Sequence, residues 1–182
     1  RERGAYSMIE EFMLAANEAV ASSFHERNED TVWRIHDAPD RTRVEEFVTL
    51  AEHYGIRVDT DEARTPKGLN RVLEKLKGHP AEKSLSFQLL RTLKQATYDV
   101  NHIGHFGLAS SDYLHFTSPI RRYPDVIDHR LLKIRLATLG KPSGGWTPST
   151  EKTAPRREEL QRMAAASSFS ERQTMEVERE VV

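Results

Sequence analysis

Over residues 5 to about 26 the apolar side chains Met8, Ile9, Phe12, Met13, Ala16, Ala19 and Val20 recur at three- and four-residue steps. That spacing predicts a long amphipathic helix with a wide hydrophobic stripe. The period then changes. Residues 31–36 (TVWRIH) alternate polar and apolar and predict a short strand, which Asp37-Ala38-Pro39-Asp40 ends while offering a cap for the next helix. Residues 41–54 return to helical spacing through Val44, Phe47, Val48 and Ala51, with Gly55 as the stop. Ile56-Arg57-Val58 reads as a brief extended piece. Thr65-Pro66 opens another helix, with Leu69, Val72, Leu73 and Leu76 on its inner face and Gly78 at its end. Residues 80 to about 100 are expected as one more long helix, through Leu85, Leu89, Leu90 and Leu93.

Beyond that helix the pattern shortens. Phe106-Gly107-Leu108-Ala109 suits a short buried strand in which Gly107 permits close backbone approach, and Ser110-Ser111-Asp112 turns into Tyr113. Thr117-Ser118-Pro119 reads as a helix entry, a hydroxyl that can cap free N–H groups followed by a proline suited to a first turn. Pro124 disfavours a helical Tyr123, so the main helix is expected from 124 or 125 to 139, with Ile127, Leu131 and Ile134 inward and Gly140 closing it. Residues 141–150 (KPSGGWTPST) are rich in turn-forming residues and read as an exposed loop. Thr150 or Thr153 introduces a final helix reaching 182, carrying Leu160, Met163, Ala164, Phe169 and Met175. The fold class is α+β, predominantly helical with a few short strands.

Composition narrows the possibilities. The 182 residues suffice for one domain with a real core, or a large piece of one, and 37% hydrophobic with 30% charged residues describes a much-wetted surface. No apolar run is long enough to span a membrane, and no signal segment opens the chain. The lack of cysteine excludes a disulfide frame and fits a cytoplasmic location. A net charge of −1 means that any nucleic-acid contact must come from a local basic cluster. The chain starts on Arg-Glu-Arg-Gly and stops without a helix-ending residue, which suggests an excised or processed piece of a longer protein.

Candidate chemistry concentrates in residues 105–133, HFGLASSDYLHFTSPIRRYPDVIDHRLLK. There Arg121 and Arg122 follow the Ser-Pro step, and guanidinium forks beside free backbone donors make a seat for a phosphate. Two other groupings are weaker. Asp59, Asp61 and Glu62 lie in a cap-rich segment between helices with nothing to complete a binuclear metal site. Asp99, His102 and His105 are spaced by three, but Gly104 weakens the helix that would align them as zinc ligands, so structural or RNA-facing roles outweigh that reading. No nucleophile elbow, phosphate-binding GxxxxGK loop or HExxH pair occurs.

The ordered residues HFGLA, Tyr113, HFTSPIRRYPD and HR resemble the signature of the ribonuclease II/R (RNB) family of exoribonucleases. MIEEFMLAAN, WRIHDAPD and SSFSERQTMEVEREVV resemble successive blocks of the same domain, so the likeness spans nearly the whole chain. It implies the C-terminal half of an RNB catalytic domain, part of a processive enzyme that hydrolyses single-stranded RNA from the 3′ end to 5′-mononucleotides. It implies divalent Mg2+ (or Mn2+) as cofactor, held by a cluster of aspartates that precedes this region and is not found in it. This chain alone is therefore expected to be inactive, needing the remaining N-terminal part of the domain beside flanking OB-fold RNA-binding domains. By the same resemblance Arg121 is the catalytic candidate, neutralising charge on the scissile phosphate, with Arg122 as second choice or structural partner. The first helix would line the RNA channel, with one of Glu10 and Glu11 contacting the terminal ribose and Asn17 among its RNA-binding residues. His105, Tyr113, Thr117, Ser118 and Arg130 would line the RNA path. A non-catalytic RNA-binding or protein-interaction module of the same fold is the alternative.

Overall fold

The computed structural model describes residues 2–140 and 153–181; the predicted loop over 141–150 and a helix start at Thr150 lie outside them. In chain order the described elements are α1 (Glu2–His25), β1 (Trp33–Ile35), α2 (Arg41–His53), α3 (Thr60–Ala63), α4 (Pro66–Leu76), α5 (Glu82–Arg91), β2 (Thr97–Asp99), α6 (Tyr123–Thr138) and α7 (Arg157–Val181). A single 3-10 turn, Phe106–Leu108, lies between β2 and α6. The mainly helical α+β class is as expected. The chain divides into two compact units.

The first unit takes the described residues up to Ile35, Thr97–His102 and those from Asp112 onward. Its two strands pair antiparallel, Trp33 opposite Asp99 and Ile35 opposite Thr97, and Trp33 also bridges to Leu114. Ala21, Phe24, Val32, Trp33, Tyr98, Leu114, Ile127, Leu131 and Leu160 form its core. Helix α7 lies on β2, where the Ser168 hydroxyl accepts the Tyr98 N–H at 2.8 Å. The predicted stripe of α1 reaches this core only in its second half. Ile9 and Phe12 are 53% and 67% exposed. Periodicity identified the helix, but period alone does not say what covers a face.

The second unit takes His36–Ala96 and Ile103–Ser111. Asp40, Asp59 and Thr65 cap α2, α3 and α4 through side-chain oxygens, and Val44, Phe47, Val72, Leu76, Leu85 and Leu89 fill the interior. The acidic run at 59–62 is thus a capped one-turn helix, Asp59 accepting from the Glu62 N–H at 2.7 Å. Gly55 ends α2 with φ +78°, where only glycine is unstrained.

Three sequence expectations are corrected. The helix predicted to about residue 100 stops at Arg91, and Thr97–Asp99 becomes β2, since Thr and Tyr side chains fit a strand and the ladder to β1 outweighs helix continuation. Phe106–Ala109 is not a buried strand. Ala109 is left-handed (φ +54°), Leu108 is 41% exposed, and His105 Nδ1 accepts the Leu108 N–H at 3.2 Å to close the turn. The close approach at Gly107 is real: a Cβ there would lie 2.7 Å from His36 Nδ1, which accepts the Gly107 N–H. Thr117-Ser118-Pro119 starts a turn and not a helix, and α6 begins at Tyr123 with Pro124 in its first turn, where no N–H is missed.

Candidate nucleic-acid interface

The turn at 118–122 is held by its own backbone and by one carboxylate from α6. The N–H groups of Arg121 and Arg122 both donate to Ser118 O at 3.2 Å. Asp125, fully buried in the first turn of α6, accepts the Ser118 N–H at 2.8 Å on Oδ2. The same oxygen accepts from Arg122 Nε at 3.2 Å and Nη2 at 2.8 Å. A carboxylate in the first turn is also favoured by the helix dipole. Arg122 is consequently an internal strut, its side chain 16% exposed. Arg121, one residue earlier, is exposed, and no carboxylate among the described residues pairs with it.

Arg121 stands on a cleft of about 850 Å3 in the first unit, lined also by Tyr98, Arg122, Tyr123, Arg162 and Glu171. That volume suits a nucleotide-sized ligand. Glu171 is matched by Arg34, whose Nη1 donates to its Oε2 at 2.6 Å. The Arg34 guanidinium also lies over the Tyr98 ring, 4.6 Å from its centroid. Burial pushes the Tyr98 hydroxyl up to about 12, which Arg34 only partly offsets, so it remains neutral and bonds His115 Nδ1 at 2.9 Å. With Arg122 and Glu171 satisfied, Arg121 and Arg162 face Glu178 in the cleft. The balance favours an anion, and Tyr123, 52% exposed, adds an aromatic face.

The remaining sequence candidates are not gathered here. Glu10 and Glu11 are exposed on α1 and do not line the cleft. Asn17 and Tyr113 are buried, 3% and 6% exposed, and bonded to each other, Asn17 Nδ2 donating to Tyr113 Oη at 3.0 Å. Asn17 Oδ1 also accepts the Phe116 N–H at 2.9 Å, so this pair braces the chain leading into the turn. The Thr117 hydroxyl is buried without a partner among the described residues, and Ser118 contributes its backbone N–H to Asp125. His105 belongs to the second unit, where it caps the 3-10 turn. Arg130 is exposed beside a smaller hollow of about 340 Å3 lined by Ile127, Leu131, Glu159 and Met163. Asp125, Arg34, Arg162 and Glu171 were not singled out from sequence. Asp125 could have been, since it sits in the SPIRRYPD run; the others come from distant elements and carry no local signal.

The Mg2+ or Mn2+ implied by the resemblance does not fit the described residues. Asp125 Oδ2 is taken by Arg122 and Ser118, and Asp128 is sealed in the core, its Oδ1 accepting from the Thr31 hydroxyl at 2.7 Å and the Val32 N–H at 3.1 Å. Among the described residues one group of three donors is close enough for an ion, His25, His102 and Asp112, and it is rich in nitrogen where Mg2+ takes oxygen.

A family model described as the RNB domain matches residues 1–138. The chain is 42% identical to ribonuclease R 1 of Lactococcus lactis over all of this chain and 21% of that protein. It is 45% identical to ribonuclease R of Thermotoga maritima over 77% of this chain and 20% of that protein. The chain thus spans about a fifth of the length of these relatives. The structure of Mycoplasma genitalium RNase R in complex with ribose-methylated single-stranded RNA superposes with a TM-score of 0.81 at 31% identity, covering 97% of this chain and 27% of that one.

Proposed function

Because the chain belongs to the RNB domain family, we propose that it supplies the phosphate-gripping part of a processive 3′-to-5′ exoribonuclease acting on single-stranded RNA. The observation that carries this is the division of labour between adjacent arginines. Arg122 is spent on Asp125, and Arg121 is left exposed on a nucleotide-sized cleft. A guanidinium so placed binds two non-bridging phosphate oxygens and gains interaction energy as charge builds on them in the transition state. Tyr123 offers a stacking face for a base, and Arg162 a second backbone contact. A relative with 31% identity is known with single-stranded RNA bound, which supports the substrate class.

Hydrolysis to 5′-mononucleotides uses Mg2+ or Mn2+ held by aspartates outside this chain, in the remaining N-terminal part of the RNB domain. OB-fold domains flank it in the whole protein, which works in the cytoplasm. This chain alone binds RNA without cutting it. Arg121→Ala in the full-length protein is expected to lower kcat on single-stranded RNA by about 10²–10³ while weakening RNA binding far less. An equal loss in rate and affinity would reject the transition-state role. Magnesium-dependent shortening of RNA by the isolated chain would reject the division of the site.

A further inference from the structure

Three segments far apart in sequence bring two imidazoles and a carboxylate together in the first unit. His25 sits in the last turn of α1, His102 follows β2, and Asp112 marks where the chain re-enters this unit after 103–111. His25 Nδ1 and His102 Nε2 both meet one oxygen, Asp112 Oδ1, the second of them at 2.8 Å. The two imidazole centroids are 4.4 Å apart. One donor atom from each residue lies within 4.8 Å of the other two. The buried Trp33 ring, 4.5 Å from His102 and 6.5 Å from His25, walls the group on its inner side.

We propose that His25 Nδ1, His102 Nε2 and Asp112 Oδ1 bind a divalent transition-metal ion of the Zn2+ class, with solvent in the fourth position. Two nitrogens and one carboxylate oxygen suit a borderline ion such as Zn2+ and do not suit Mg2+. Zinc–ligand bonds of about 2.0–2.2 Å set neighbouring donors roughly 3.3 Å apart in a tetrahedron, within reach of small side-chain rotations from the separations present. Access is graded. The side chain of His25 is 54% exposed, that of His102 27% and that of Asp112 17%, so an ion enters past His25 and meets the carboxylate last. The Ser22 hydroxyl, 3.5 Å from Asp112 Oδ2, steadies the oxygen that does not face the imidazoles. His25, His102 and Asp112 all belong to the first unit, so the ion would tie the end of α1 to two chain segments of that same unit. The competing, metal-free account is a hydrogen bond between His25 Nδ1 and Asp112 Oδ1; it leaves His102 Nε2, 2.8 Å from the same oxygen, buried without a hydrogen-bond partner among the described residues.

The test is calorimetric titration of chelator-treated full-length protein with ZnCl2 in excess Mg2+, which occupies oxygen-donor sites. His25→Gln and His102→Asn are run beside it, His25 being exposed enough for its replacement not to threaten folding. The wild type is expected to take up one more equivalent of Zn2+ than either variant, at a Kd at least tenfold below any residual binding in them. Saturating Zn2+ should raise the wild-type Tm by about 5 °C and leave both variants unmoved. Co2+ should quench Trp33 fluorescence only in the wild type. Equal stoichiometry and affinity in all three proteins would overturn the site and leave Asp112 as a plain hydrogen-bond acceptor.

Discussion

Arg122 and Asp125 meet through two guanidinium nitrogens on a single carboxylate oxygen, Nε at 3.2 Å and Nη2 at 2.8 Å. The Ser118 N–H shares that oxygen, so one carboxylate in the first turn of α6 fixes both the start of the 118–122 turn and the residue that ends it. Asp125 is fully buried, and the Arg122 side chain is 16% exposed. Removing the acid leaves a largely desolvated cation unmatched. Asp125→Ala is expected to cost about 3 kcal/mol of stability, read by urea unfolding. Paired with Arg122→Met in a double-mutant cycle, the two changes should be strongly non-additive. Additive losses would mean that the pair does not hold the turn.

Asp128, one turn further along α6, predicts a pH dependence of the opposite sense to an ordinary ion pair. Burial drives its carboxyl well above the usual range, outweighing the Thr31 and Val32 donors, and the nearby Asp125 adds to the rise. The folded chain therefore keeps a proton that the unfolded chain releases. The contribution of this group is fully present below the unfolded carboxyl pKa, about 4, and is lost as pH rises through the folded value. Asp128→Asn cannot ionise and should remove this decline, so its Tm relative to wild type should climb steadily from pH 4 towards neutrality. A difference that stays flat across that range would show Asp128 already ionised in the fold.

Much of this architecture was legible in the chain because its cues are local. Asp40, Thr65 with Pro66, and Gly55 gave the bounds of α2 and the start of α4, since a cap or a left-handed stop acts within a few residues of itself. The exposed Arg121 beside an anchored Arg122 was half legible. The motif put two guanidiniums just after an expected helix entry, which is a turn in the structure, and which of them is left unpaired depends on Asp125, three residues beyond Arg122 in the first turn of α6. What failed depended on partners distant in sequence. Thr97–Asp99 is a strand because β1 is there to pair with it. His102 was weighed as a ligand with its sequence neighbours Asp99 and His105, and the fold brings it to His25 and Asp112 instead. A spacing of three is informative only inside a helix, and no helix spans 99–105.

Asn17 separates bracing from ligand contact. Its amide bonds Tyr113 Oη at 3.0 Å and the Phe116 N–H at 2.9 Å, both inside the first unit and away from the cleft lining. Asn17→Ala should cost about 2 kcal/mol, and Tyr113→Phe about half that, because only one of the two bonds is lost. RNA affinity of the folded full-length variants should keep its wild-type salt dependence. A shallower salt slope with unchanged stability would place Asn17 on the RNA path instead.

Arg162 carries the most exposed form of the electrostatic argument. With Arg122 bound to Asp125 and Glu171 to Arg34, Arg121 and Arg162 are the cations that remain for phosphate among the described residues of the cleft, against Glu178. On single strands each phosphate contact contributes about 0.7 to the slope of log K against log salt. Arg162→Ala and Arg121→Ala in the full-length protein should each flatten that slope by about this amount, and the double variant by about twice as much. Arg41→Ala is the control, since that residue lies in the second unit and is already paired with Glu45 and Asp61. Because Arg121 alone is assigned to the developing charge, Arg162→Ala should weaken binding and leave single-turnover cleavage at saturating enzyme near wild type. An unchanged slope in Arg162→Ala would remove it from the RNA path and leave Arg121 as the cleft's sole phosphate contact.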